Sequence, residues 1–143
     1  MQSDEVLTWA EVHCSHRVRH GVYQRNGRLI SLLTDFGRIN PCYPDRFAND
    51  SETVMLYTGQ GRRGDQGLSP ANLALLAAIE SSHAVPLFSK LSPGRWQPLG
   101  HWRVTAATHS YSETEKRMLW IFTLEKMSDA RCQMSAKELL TDI

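Results

Sequence analysis

The sequence predicts a single α+β domain dominated by a strongly curved sheet, with flanking helices. Three observations carry that expectation. Asn26-Gly27 lies between the apolar pairs Val22-Tyr23 and Leu29-Ile30, a hairpin signal because both turn positions tolerate positive φ. Trp102, Val104 and Ala106 alternate with His101, Arg103 and Thr105 as in a half-buried strand, and residues 118–124 are nearly continuously apolar, as in a central strand. Only residues 69–82 carry a full helix signature: Ser69 as cap, Pro70 at the first helical position, and Leu73, Leu76 and Ile79 at helical spacing.

The remaining elements follow in order. Residues 3–13 are expected to form a short helix behind Ser3, with Asp4 and Glu5 in its first turn. Residues 35–52 hold Asp, Gly, Asn and Pro with isolated aromatics and read as a long loop, a feature that in compact domains is functional or disordered. Residues 53–58 form a strand that runs into Gly59-Gln60-Gly61, residues 85–89 another strand, and residues 135–140 a terminal helix. No internal repeat or linker interrupts the chain, so residues 1–143 are read as one domain.

Composition narrows the function classes. A chain of 143 residues, 41% apolar and 22% charged, can bury a sizeable core. No apolar run approaches the roughly 20 residues of a membrane-spanning helix, and the N-terminus lacks a signal pattern, so a cytoplasmic location is expected. Cys14, Cys42 and Cys132 are odd in number and never CxxC, which argues against a disulfide framework or a zinc knuckle. Net charge is only +1, yet residues 12–126 hold fourteen Lys/Arg against nine Asp/Glu while both ends are acidic. A basic middle suits a polyanion.

Gly59-Gln60-Gly61-Arg62-Arg63-Gly64 spells GxGxxG after a strand. A dinucleotide fold would open its helix inside that motif; here the helix waits for Ser69-Pro70. The glycines fit a tight turn whose backbone approaches a ligand closely. Tyr57 and Thr58 stand at its edge, and Arg62 and Arg63 project from it. Enzyme signatures are weak. His16 and His20 have metal-pair spacing but sit among Arg17, Arg19 and Gly21, and Glu113-Thr114-Glu115-Lys116 is similar to a nuclease element but occupies a turn without a partner acid. No serine sits in a GxSxG elbow.

Residues 65–75, Asp65-Gln66-Gly67-Leu68-Ser69-Pro70-Ala71-Asn72-Leu73-Ala74-Leu75, resemble the DQxLxxxNxAL stretch of SRA (SET- and RING-associated) domains. Tyr57-Thr58-Gly59-Gln60-Gly61 matches the YTGxG of that family just upstream, and Val85-Pro86-Leu87, residues 99–104 and Trp120-Ile121-Phe122 look like its later strands in the same order. The resemblance covers roughly residues 16–126. It implies a PUA-like, crescent-shaped β-barrel that binds duplex DNA and flips a modified cytosine (5-methyl or 5-hydroxymethyl) into a pocket, with no catalysis, cofactor or metal. Phe47-Ala48-Asn49-Asp50 fits the family's aromatic-x-x-Asp pocket element, with Tyr43 as the competing aromatic.

The implied base pocket is therefore Phe47, Asp50, Tyr57, Thr58, Gly59 and Gln60. Asp50 would accept from the cytosine amine, backbone N–H groups near residues 58–59 would donate to N3 and O2, and Tyr57 with Phe47 would sandwich the ring. Stacking of that kind contributes about 1–3 kcal/mol per base. Core packing competes as the role of Phe47, and a solvated loop acid as that of Asp50. Trp96, Trp102 and Trp120 are expected in the core. Arg17 and Arg19 are assigned to the DNA backbone, with Arg25 and Arg28 as further phosphate candidates; Arg62 and Arg63 are assigned to the backbone or to a shortened finger at the vacated stack.

The sequence departs from the family in lacking the long eukaryotic insertion between the glycine turn and the DQ pair, which points to a bacterial, nucleoid-associated member. Such domains accompany restriction nucleases, so a nuclease partner, or a nuclease domain absent from the chain, fits the resemblance. Two alternatives stand beside it: a PUA-like binder of RNA or phosphorothioate DNA, and a small metal-dependent nuclease.

Overall fold

The computed structural model describes residues 5–128. Its elements are α1 (Trp9–His13), β1 (Val22–Arg25), β2 (Arg28–Thr34), β3 (Arg46–Phe47), β4 (Val54–Thr58), α2 (Pro70–Ser81), β5 (Ala84–Ser92), β6 (Arg95–Ser112) and β7 (Arg117–Lys126). The strands form one sheet in the order β1-β2-β5-β6-β7-β4-β3. Only β2 and β5 run parallel, on either side of α2 in the chain; the other pairs are antiparallel. The ladder shifts register at Tyr23/Gln24, Pro86/Phe88, Lys90/Ser92 and Val104/Ala106, irregularities of the kind that bend a strand and increase its twist.

The Asn26-Gly27 turn forms as expected, both residues at positive φ (53° and 83°). The apolar residues that alternate along the strands build the main core, where Leu32, Met55, Leu87, Trp102, Phe122 and Leu124 meet Leu75 of α2. Burying each such side chain contributes about 1.5–3 kcal/mol. A smaller cluster of Val12, Leu33, Phe88 and Trp96, with Leu7 and Trp9 packed on it, fastens the N-terminal segment to the sheet.

Three expectations are corrected. The first helix starts at Trp9, not behind Ser3, which lies outside the described residues. Thr8 caps it reciprocally with Glu11, while Leu7 exchanges backbone hydrogen bonds with Trp96 in an extended conformation that a helix could not make. The buried face of α2 is Ala71, Asn72, Ala74, Leu75 and Ala78; Leu73 is exposed, and Leu76 and Ile79 pack only at the flank. Small alanines let the helix approach the sheet, and the inward pull on Asn72 described below sets its rotation. Ala106 points outward because the bulge at Val104/Ala106 breaks the alternation, and Ala107 packs on the core instead. The terminal helix expected over residues 135–140 lies outside the described residues. No helix among those described is long and apolar enough to cross a membrane.

Candidate functional site

At the end of β4 the chain leaves the sheet through Thr58-Gly59-Gln60-Gly61. Gly59 is obligatory for packing reasons: a Cβ there would stand 2.7 Å from Asn72 Oδ1 and 2.8 Å from Trp120 Cβ. Two buried side chains of the 65–75 motif hold this turn. Gln66 donates to the Gly59 and Gly61 carbonyls (2.7 and 3.1 Å) and accepts from the Trp120 N–H (2.9 Å). Asn72 accepts from the Gln60 N–H (2.8 Å) and donates to the Gln60 and Gly67 carbonyls (3.0 and 2.9 Å). The glutamine and asparagine of the motif are thus the frame of the glycine turn.

A second loop, residues 35–45, reaches the same place. Asp35 organises its start, Oδ1 accepting from Gly37 N–H and Oδ2 from Asn40 N–H, both at 2.8 Å. Asp45 ends it. β3 pairs Arg46 with Leu56, and one further step of that register sets Asp45 opposite Tyr57. Asp45 is 6% exposed, and its carboxylate accepts from Thr34 Oγ1 and from the Thr58 N–H, each at 2.6 Å. Burial pushes this carboxyl up to about 7; the bonds from Thr34 and Thr58 oppose the shift, and the nearby Asp35 charge adds to it. The Thr58 hydroxyl lies close enough to favour the ionised form, yet meets no partner in hydrogen-bond geometry among the described residues. Tyr57 is buried too, donating to the Leu33 carbonyl (2.8 Å) with the Gly21 carbonyl at 3.2 Å; burial raises its phenol well above the usual range, so it stays neutral.

Arg117 joins the two loops. This buried guanidinium donates to the carbonyls of Gly61, Gly64 and Cys42, with Glu115 at 3.5 Å as its counter-charge. Nothing in the sequence marked it, because in a strand pattern it reads as an ordinary polar position.

Between these loops lies a cavity of about 440 Å³. Thr34, Asp45, Tyr57, Thr58 and Gly59 form its buried part, Tyr43 and Gln60 line it further out, and Arg19, His20, Arg62 and Lys90 bring positive or titratable groups toward solvent, with Trp9 and the buried Trp96 beside them. Its size falls within the range of small-molecule sites, roughly 300–1,000 Å³.

Of the six residues assigned to the pocket from sequence, Tyr57, Thr58, Gly59 and Gln60 line this cavity; Phe47 and Asp50 do not. They border a separate cavity of about 240 Å³ with Glu52, Leu99, Trp102 and Lys126. Phe47 packs between Phe36 and Trp102 (ring centroids 5.1 and 6.1 Å) because it stands opposite Met55 rather than Tyr57. Asp50 is exposed in a turn that Asn49 closes by accepting from the N–H groups of Thr53 and Val54. Tyr43 and Asp45 occupy the cavity instead. The signal was present as Tyr43-Pro44-Asp45, an aromatic and an acid in the same loop.

The expectation that backbone N–H groups of the turn are free also fails. Thr58 donates to Asp45, Gly59 to the Trp120 carbonyl, Gln60 to Asn72, and Gly61 to the Tyr43 hydroxyl at 3.4 Å. Trp102 and Trp96 are core as expected, and Trp96 also lines the cavity. Of the arginines, Arg19 and Arg62 border the cavity, Arg17 and Arg63 are exposed away from its lining, and Arg25 and Arg28 flank the β1–β2 turn.

His16 and His20 form no ligand pair. Buried His16 donates from Nε2 to the His20 carbonyl (2.5 Å) and accepts at Nδ1 from the Ser31 hydroxyl (2.7 Å). Burial lowers its pKa to about 4, so it is neutral at physiological pH. No cluster of three or more metal-ligating side chains occurs among the described residues.

A family model described as "ScoMcrA-like, SRA domain" matches residues 11–142. No curated protein matches the chain. Among solved structures, the chain is similar to the SRA domain of SUVH5 in complex with hemi-methylated CG DNA (TM-score 0.73, 23% identity, 88% of this chain and 87% of that one). It is similar to the same domain bound to fully hydroxymethylated CG DNA (TM-score 0.67, 22% identity, 87% of each chain). It also resembles the modification-dependent restriction endonuclease TagI (TM-score 0.70, 19% identity), spanning 90% of this chain and half of that one.

Proposed function

The chain belongs to the ScoMcrA-like SRA domain family, and from that membership we propose that it reads duplex DNA by accepting a flipped, 5-modified cytosine in the cavity between the 35–45 loop and the glycine turn. The observation that carries this reading is the buried Asp45 carboxyl, held by Thr34 and Thr58 inside a cavity whose solvent side is cationic.

Each Asp45 oxygen already accepts one bond and retains a lone pair, so the ionised group accepts the exocyclic amine of cytosine. Thymine would set a carbonyl oxygen there, and a buried acceptor facing an acceptor costs about 1–3 kcal/mol. Gln60 supplies an amide for N3 or O2, the role the occupied backbone N–H groups cannot take. Tyr43 and Tyr57 supply aromatic surface for the ring. Extrusion costs a few kcal/mol, which these contacts offset, so net affinity comes from phosphates. One buried methyl adds only about 0.8 kcal/mol, roughly fourfold, so strong preference for a modified base also draws on cavity shape or an easier flip.

The DNA bound by the SUVH5 structures and the similarity to a modification-dependent nuclease support reading the chain as one non-catalytic reader domain of a restriction system, the cutting being done by a partner or a separate nuclease domain. The test is binding to matched duplexes carrying cytosine, 5-methylcytosine or 5-hydroxymethylcytosine, with phosphorothioate DNA and single-stranded RNA as controls and magnesium or manganese present. Tighter binding to a modified duplex without cleavage supports the reading; equal binding to all duplexes, or preference for RNA, overturns it.

A further inference from the structure

The cavity extends past the base-recognising end to four side chains that have no part in reading a cytosine. The rings of Trp9 and Trp96 lie 5.5 Å apart at 42°. The Arg19 guanidinium carbon stands 4.7 Å from the Trp9 ring centroid, and Lys90 Nζ 5.7 Å from that of Trp96. All four line the cavity that holds Asp45. They come from separate parts of the chain: α1, the segment before β1, β5 and β6.

The arrangement is built. Leu7 and Trp96 exchange two backbone hydrogen bonds (2.7 and 2.9 Å), the Thr8–Glu11 capping box starts α1 at Trp9, and Val12, Leu33 and Phe88 pack beneath. Trp9 stands just ahead of the residues 11–142 that the family model matches.

We propose that Trp9, Trp96, Arg19 and Lys90 form a clamp for a phosphodiester flanking the flipped nucleotide, an inference that rests on the base-flipping reading. A cation held over an indole face is already positioned and partly stripped of water, so less side-chain freedom is lost when it meets an anion. Two such cations match the single charge of a phosphodiester with excess. The acids Asp35 and Asp45 also line the cavity and repel a phosphate from that end. The nucleotide is thereby oriented, base toward Asp45 and backbone toward the indoles. Size agrees: about 440 Å³ is roughly 15 waters' worth of space, more than one methylated pyrimidine occupies.

The test uses duplexes with one 5-methylcytosine in which the phosphate 5′ or 3′ to it is replaced by neutral methylphosphonate, bound to wild type and to Arg19→Gln/Lys90→Gln. These substitutions keep much of the side-chain length, and Arg19 is exposed while Lys90 is half-buried, so the core is untouched. The clamp predicts that one of the two neutral replacements weakens wild type about tenfold and the double variant by less than twofold. The variant's salt slope falls by about one, for the single phosphate released, while its ratio of affinities for methylated and unmethylated duplex is retained. Trp9→Ala keeps both charges, so it loses affinity with an unchanged salt slope. Equal methylphosphonate penalties in wild type and variant overturn the clamp alone, leaving the base reading standing. A wild type that does not distinguish methylated from unmethylated duplex overturns the base reading and the clamp with it. Tighter binding to glucosylated 5-hydroxymethylcytosine that disappears in Trp9→Ala overturns the clamp by making the indoles a sugar platform.

Discussion

The Asp45 carboxylate accepts the Thr58 backbone N–H at 2.6 Å, so the acid that lines the cavity also fastens the 35–45 loop to the end of β4. In the proposed reading, recognition and architecture are coupled in this contact. The coupling has a signature in pH.

Asp45 titrates near 7 in the fold and near 3.8 when exposed, so between those values the folded state holds the extra proton and stability falls as pH rises. His16 titrates near 4 in the fold and 6.5 when exposed, so stability rises with pH across that interval. Between about pH 4 and 6.5 the two therefore oppose each other, each shifting stability by at most about 1 kcal/mol per pH unit. Urea unfolding should therefore give a nearly flat profile for wild type in that window and a rising one for Asp45→Asn, where His16 acts alone. Parallel profiles would refute the opposition.

Gly59→Ala should destabilise the fold by about 1–3 kcal/mol, because its Cβ meets Asn72 Oδ1 and Trp120 Cβ below 3 Å. Gly67→Ala, with nothing within 4 Å and no positive φ, should stay within about 0.5 kcal/mol. Denaturant midpoints of the two variants compare them directly.

Much of the fold was legible where local chemistry decides it. Asn26-Gly27 and Ser69-Pro70 encode a turn and a helix start within a few residues, and the alternation from Trp102 to Val104 encodes a strand face. The site was half legible for the same reason: Tyr57, Thr58, Gly59 and Gln60 are contiguous with a recognisable turn. Asp45 carried a signal in Tyr43-Pro44-Asp45 but could not be told from Asp50, because its place depends on which residue of β3 meets Leu56 after a long loop. A one-residue choice of register decides which side chains reach the cavity, and Phe47 falls on the core side. Arg117 was hidden because its partners are backbone carbonyls of distant loops, which leave no trace in spacing, whereas Asn72 was marked by its motif but not by its inward role.

Arg117→Ala should loosen both cavity loops together. It removes charged hydrogen bonds to Cys42, Gly61 and Gly64, each contributing about 1.5–3 kcal/mol. Hydrogen exchange should accelerate at residues 42–45 and 59–64 before the β6–β7 pairing, and affinity for a modified duplex should drop more than tenfold, with Arg117→Lys intermediate. Loss confined to one loop would contradict the strap.

Arg62 borders the cavity and Arg63 does not, so we propose Arg62 rather than Arg63 for the shortened finger. An arginine can stack on and hydrogen-bond to the orphaned guanine. Arg62→Ala should weaken binding to a duplex with that guanine more than to one with an abasic site opposite the target, whereas Arg63→Ala should weaken both alike. Equal losses for Arg62→Ala, with a salt slope reduced by about one, would leave it a phosphate contact.

Which acid would read the proposed flipped base is decided most directly by the ratio of affinities for modified and unmodified duplex in Asp45→Ala and Asp50→Ala. Asp45→Ala should bring the ratio close to one while leaving weak, salt-sensitive DNA binding, and Asp50→Ala should keep the wild-type ratio. Retained discrimination in Asp45→Ala, or its loss in Asp50→Ala, would contradict the placement of the flipped cytosine beside Asp45.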